Sequence, residues 1–214
     1  MPILTLRWSA RKYPRDVDAL GLFVGQPNLK TLIENFLFEQ LNPDVRPQFS
    51  GNVYVYHSAV ATYFAPSDLS GVGGMHRQRI RAVPSWYHGP PRYDCVVVEH
   101  DPTLEGFQGL HAARVFLFLS FTHAGVEYPC ALVQWFTPMH NKPCDKTRMW
   151  IVVPDSAEAT QIIHLDSVLR DVHLIGVAGN DLLPKDFTYH DSLDAFKAFY
   201  VSKFADHHAH EILF

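Results

Sequence analysis

The sequence predicts an α+β fold, with a mainly β, small-barrel-like core, an N-terminal helix and a C-terminal amphipathic helix. Three observations predict it. Short runs rich in β-branched and aromatic residues recur between residues 53 and 177, bounded by Gly and Pro. Two of these runs, Val115 to Phe121 and Val126 to Phe136, flank the turn Thr122-His123-Ala124-Gly125. Neither alternates cleanly, as expected of strands buried on both faces in a barrel or covered sheet. Apolar residues also recur at helical spacing over 29–41 and over 193–204.

Residues 1–28 carry no strong periodicity, although Arg11, Lys12 and Arg15 lie beside Tyr13 and Pro14. Asn28 is placed to cap a helix in which Leu29, Leu32, Ile33, Phe36, Leu37 and Leu41 share a face. Asn42-Pro43 ends it, because the residue before proline is pushed out of the helical region. Pro43 and Pro47 then mark a linker. Residues 1–50 therefore read as a helical extension and linker, and 51–214 as a β-rich domain with a C-terminal helix. Val53 to Tyr56 and Ala59 to Phe64 are strand-like, and Ser67 to Met75 is a glycine-containing loop. The stretch Arg77 to Arg92 is expected to be irregular, since Pro84, Pro90 and Pro91 interrupt a ladder. Asp94 to Glu99, Met149 to Val153, Gln161 to Leu165 and Val172 to Val177 complete the strands. Asp191 or Ser192 caps the terminal helix, whose apolar stripe is Leu193, Phe196, Phe199, Tyr200 and Phe204.

The chain has 214 residues, 47% hydrophobic and 19% charged, a composition that excludes overall disorder. A net charge of −4 excludes a protein that coats nucleic acid by bulk electrostatics. That charge is uneven: residues 155–214 carry −6 and the first 154 carry +2. The three cysteines are Cys95, Cys130 and Cys144, with no C-x-x-C among them, which points to reduced thiols inside a cell. Arg7 interrupts the apolar start before a signal peptide can form. The run Val115 to Val126 is short of the roughly 18 residues that span a bilayer. The expectation is an intracellular protein, nuclear or cytoplasmic, with no membrane partner.

Ser70-Gly71-Val72-Gly73-Gly74 is followed by Met75 and His76, not by the lysine and hydroxyl of a P-loop, and reads as a turn. No G-x-S-x-G is present, and Val133 and Thr147 stand where a deaminase zinc site needs a second cysteine. Asp94, Glu99, Asp101, Asp155 and Asp166 have no spacing that demands a metal-binding triad. In the tail, His207, His210 and Glu211 fall on one helical face and are the metal candidates, weighed against histidines that favour a helix C-terminus. No cofactor is implied. The remaining motif is basic: Arg77, Arg79 and Arg81 alternate, Arg92 follows, Trp86, Tyr87 and Tyr93 are interleaved, and no carboxylate occurs from His76 to Tyr93. If extended, residues 77–81 put the three arginines on one face. Arginines hold phosphates and aromatic rings stack on bases, so Arg77, Arg79, Arg81, Arg92, Trp86 and Tyr87 are the candidate nucleic-acid contacts.

Several segments carry a family resemblance. They include Ala65-Pro66-Ser67-Asp68-Leu69-Ser70-Gly71, Arg79-Ile80-Arg81-Ala82, Arg92-Tyr93-Asp94-Cys95 and Tyr128-Pro129-Cys130-Ala131-Leu132-Val133. Ile163-His164-Leu165-Asp166-Ser167, His173-Leu174-Ile175-Gly176-Val177 and Ala205-Asp206-His207-His208-Ala209-His210-Glu211 continue the series. In this order, from about residue 45 onward, the chain resembles the C-terminal region of Plavaka-type transposases, which belong to cut-and-paste DNA transposons of mushroom-forming fungi. The resemblance implies a transposon context and an RNase H-like three-carboxylate core that is not in this chain. The implied function is a non-catalytic accessory domain that contacts DNA or chromatin, or braces the transposase catalytic domain. Two other readings stay open: a protein–protein interaction module without nucleic-acid binding, and a metal-dependent nuclease that uses the histidine tail.

Overall fold

The computed structural model describes residues 2–41, 44–67, 71–156, 159–179 and 185–213. Asn42, Pro43, Asp68, Leu69 and Ser70, named above, lie outside the described residues. The elements are β1 (Ile3–Ser9), α1 (Val17–Phe23), α2 (Leu29–Leu41), β2 (Val53–Phe64), β3 (Met75–Val83), β4 (Arg92–Tyr93), β5 (Cys95–Glu99) and β6 (Leu110–His123). Then follow β7 (Val126–Pro138), β8 (Ile151–Pro154), β9 (Thr160–His164), β10 (Val168–Asp171), β11 (Leu174–Gly176), α3 (Ser192–Ala195), β12 (Phe199–Val201) and α4 (His207–Leu213). The fold is α+β, and the strand pairings among the described residues are antiparallel.

The barrel expectation is corrected. The sheet is open, running β11-β12-β8-β7-β6-β2-β3-β4, with β1 on β2, β5 on β6, β10 on β5 and β9 on β7. Its long central strands are buried on both faces for another reason: the two faces enter different cores. From β6, Ala113, Val115 and Phe118 join a cluster with Ala59, Ala61 and Ile80. Leu117, Leu119 and Phe121 join a second cluster, covered by Leu29, Ile33, Phe36 and Leu37 of α2. A bulge between Val115 and Leu117 marks the crossover. The β6–β7 turn is Ala124-Gly125, both at positive φ (50° and 80°), as a two-residue hairpin requires.

Two local expectations are also corrected. Residues 77–83 are not irregular: Pro84, Pro90 and Pro91 fall in the connection to β4, so the β2–β3 ladder from Ser58↔Arg81 to Phe64↔Met75 keeps its donors. The helix expected through Phe204 stops at Ala195, where Phe196 turns extended (φ −98°, ψ 145°). Phe199-Tyr200-Val201 instead bridges β8 and β11, and Phe199 packs edge-on against Phe136 at 5.7 Å. Three aromatic or β-branched residues between two waiting strands gain ladder bonds as well as burial, which outweighs helical spacing. The N-terminal segment contributes β1, paired with β2 from Ile3↔Thr62 to Ser9↔Tyr56. No described helix is long and apolar enough to cross a membrane.

Candidate nucleic-acid interface

Residues directly opposite on antiparallel strands point to the same face. Arg77, Arg79 and Arg81 stand opposite Thr62, Val60 and Ser58 of β2, which stand opposite Ile3, Thr5 and Arg7 of β1. The outer face of this three-stranded region therefore carries four arginines over Thr, Ser, Val and Ile, with no carboxylate. The alternate residues Leu4, Ala59, Ala61, Ile80 and Ala82 form the core beneath. Arg77 and Arg79 are exposed, and Arg7 and Arg81 are half-buried. Trp8, beside Arg7, is 84% exposed and left-handed (φ 59°), a conformation that costs energy for a side chain of its size.

The β3–β4 hairpin extends this face. Val83↔Arg92 and Ala82↔Tyr93 close its stem. At its tip the Gly89 amide donates to the Trp86 carbonyl (2.9 Å), with Tyr87 and His88 both at positive φ (50° and 63°). Two consecutive non-glycine residues in this region are strained. His88→Gly is expected to stabilise the protein by about 0.5–1 kcal/mol, read by urea unfolding; a loss of stability would show that the turn is not held this way. Trp86 carries the Arg81 guanidinium at 4.7 Å and that of Arg92 at 5.6 Å over its ring. Its indole thus orders two cations, and Tyr87, 84% exposed and edge-on to Trp86, is the open ring at the tip.

Positive charge on this face is under-compensated. Asp94 serves two arginines: it accepts from Arg92 Nε (2.8 Å) and from the Arg81 backbone amide (2.9 Å), and sits 4.0 Å from Arg81 Nη1. Burial and then the neighbouring Arg92 push the Arg81 pKa down, with Arg79 adding to the effect. Among the described residues Arg7, Arg77 and Arg79 make no ion pair. The face holds about four uncompensated charges, the setting in which a polyanion displaces little but counterions.

A network centred on the buried Arg170 and Tyr63, with half-buried Gln78, Asp171, Asp206 and His208 around them, braces β2 and β3 from below. Gln78 Oε1 accepts from Tyr63 Oη and from the Asp171 amide, both at 3.4 Å. Tyr63 carries the Arg170 guanidinium at 5.1 Å and stacks on His208 at 4.5 Å. Arg170 is 2% exposed and grips Asp206 with two parallel bonds (2.8 and 2.5 Å), while Asp206 Oδ1 also accepts from the Ala209 amide of α4. Arg170 Nη1 lies 3.2 Å from His208 Nδ1, so that nitrogen is the acceptor and the imidazole is neutral. Burial, then Arg170, push the His208 pKa down from 6.5. The folded state therefore resists a proton that the unfolded chain accepts: the stabilisation is complete above about pH 6.5 and declines as pH falls below it. Between pH 7 and 5 the wild type is expected to lose more stability than His208→Gln, measured by urea unfolding; equal losses would contradict this.

The other candidates do not converge. His207 Nδ1 lies 3.0 Å from Glu211 Oε1 on the exposed side of α4, and no three His, Cys, Asp or Glu side chains gather as a metal set among the described residues. Asp101 accepts from Thr103, Asp155 from Thr137, and Asp166 lies beside His164, so each serves its own turn or strand end. Cys95 is buried and its thiol is pushed up to about 12; burial also raises Cys130.

The sequence reading missed Arg7 and Trp8, because β1 has no clean alternation to mark it. It also missed His208 and Arg170, whose partners lie far along the chain. No family model matches the chain, and no curated protein matches it.

Proposed function

We propose that this chain is a nucleic-acid-binding accessory module that grips the phosphate backbone with the outer face of β1–β2–β3 and the β3–β4 hairpin. One observation carries the reading: four arginines stand on one carboxylate-free sheet face, with Arg92 and an exposed aromatic tip beside them. Arg7, Arg77 and Arg79 contact phosphates directly. Trp86 holds Arg81 and Arg92 in place, and Tyr87 offers a ring for stacking. The resemblance to Plavaka-type transposases makes transposon DNA the natural target, and the excess of acid in residues 155–214 turns that part of the chain away from it.

The test is the salt dependence of binding to a short labelled DNA duplex. About four phosphate contacts predict that log K falls linearly with log salt, with a slope of about −3 to −4 between roughly 50 and 200 mM. Absent binding, or binding indifferent to salt, would favour a protein-interaction module instead.

A further inference from the structure

A second site lies on the other face of the hairpin. Ala82 and Tyr93, paired across the stem, line a cleft of about 410 Å³ together with Tyr13, Phe23, Phe116 and Leu132. That volume lies at the lower end for sites that hold small ligands. Its aromatic walls are two edge-to-face pairs, Tyr13–Phe23 at 5.3 Å and Tyr93–Phe116 at 5.5 Å.

Charge decides what fits between them. Among the described residues no carboxylate lines the cleft. Arg114 is buried, does not line the cleft, and places its guanidinium 5.7 Å from the Tyr93 ring centre and 5.4 Å from that of Phe116. That guanidinium is paired with Asp194 (2.6 Å), so the two rings already hold a compensated cation and their faces are not free to bind a second one. The favoured guest is neutral, flat and aromatic. Burial raises the pKa values of both Tyr13 and Tyr93, so their hydroxyls stay protonated and offer hydrogen bonds to a ring edge. The loop that carries Tyr13 also carries Arg11, Lys12 and Arg15, all exposed, next to a cleft with no acid in its wall among the described residues.

We infer that this cleft accepts one unpaired nucleobase of a single strand whose backbone is held by the flanking arginines and lysine. The inference rests on the nucleic-acid reading above and deepens it, since a base inside a duplex cannot enter.

The experiment compares one oligonucleotide, as a single strand and as a duplex, on the full chain, with 2-aminopurine as a reporter base. The single strand is expected to bind about ten-fold more tightly and its reporter to be quenched. Phe23, 59% exposed, can be changed without disturbing the core. Phe23→Ala is expected to lose about ten-fold for the single strand, the effect of one base–aromatic stack, and nothing for the duplex. Tyr13→Leu serves as the second variant, with the same expectation. Equal binding of both forms with neither variant altering it overturns the inference, while a loss in Arg77→Ala plus Arg79→Ala would leave the phosphate-gripping face standing. Binding of neither form sinks both readings. Competition by tetramethylammonium would overturn the inference by showing that the cleft takes cations.

Discussion

Arg170→Met is expected to destabilise the protein by about 3 kcal/mol, measured as a lower urea midpoint with an unchanged slope. Arg170 is 2% exposed, and its guanidinium meets Asp206, Asp171, His208 and the Tyr63 ring at once. Methionine fills much of the volume but leaves the carboxylates of Asp206 and Asp171 facing each other without a cation. The expected loss lies at the low end for a broken buried pair, because Asp206 is partly hydrated, with a side chain 34% exposed. Changing both partners, Arg170→Met with Asp206→Leu, is expected to recover part of the loss, since no orphan charge then remains at that pair. The acid limb gives an independent reading. Hydrogen bonds from Arg170 hold Asp206 down to about 2, against an ordinary 3.8. That stabilisation is fully present above about pH 3.8 and is lost as pH falls toward 2; burial raises Asp171 and gives it the opposite sign. Arg170→Met should flatten the Asp206 part of this acid loss. A change below about 1 kcal/mol in the single variant would mean that the network does not hold α4 to the sheet.

Arg77→Ala with Arg79→Ala is expected to weaken duplex binding and to reduce the steepness of its salt dependence by about 2, close to 0.9 for each phosphate contact removed. Both side chains are exposed and make no ion pair among the described residues, so the fold is expected to keep its stability within about 0.5 kcal/mol. Arg81→Ala is expected to behave differently. It removes a cation already partnered by Asp94 and Trp86, and frees Trp86 and Arg92 to move. Its affinity loss should therefore come with a loosened hairpin, visible as faster amide exchange at Trp86 and Gly89. An unaltered salt dependence in the double variant would place the phosphates elsewhere.

The spacing of Arg77, Arg79 and Arg81 was legible in the sequence, but the strand that carries it was not, because Pro84, Pro90 and Pro91 made the whole stretch to Arg92 read as irregular. The hairpin of β6 and β7 was legible without clean alternation, because two β-branched and aromatic runs flank the turn Thr122-His123-Ala124-Gly125, of which Ala124-Gly125 forms the observed bend. The fourth arginine was not. Arg7 reaches the face only through the register Arg7↔Ser58↔Arg81, which spans three strands separated along the chain. The closed barrel was inferred from strands apolar on both sides, a pattern that α2 produces equally well by covering one face of β6 and β7. Phe196, Phe199 and Tyr200 keep helical spacing yet divide between a turn and a strand, because only the folded sheet supplies the edges of β8 and β11. The cleft between Tyr13 and Tyr93 had no local signal at all, as its walls come from the β1–α1 loop, the hairpin stem and β6.

The most direct test of a phosphate-gripping sheet face is an NMR titration of the arginine side-chain Nε–Hε signals with duplex DNA. Shifts confined to Arg7, Arg77, Arg79, Arg81 and Arg92, with Arg170 unmoved in its buried bonds, are the predicted result. Saturable shifts on other arginines while these five stay still would contradict it.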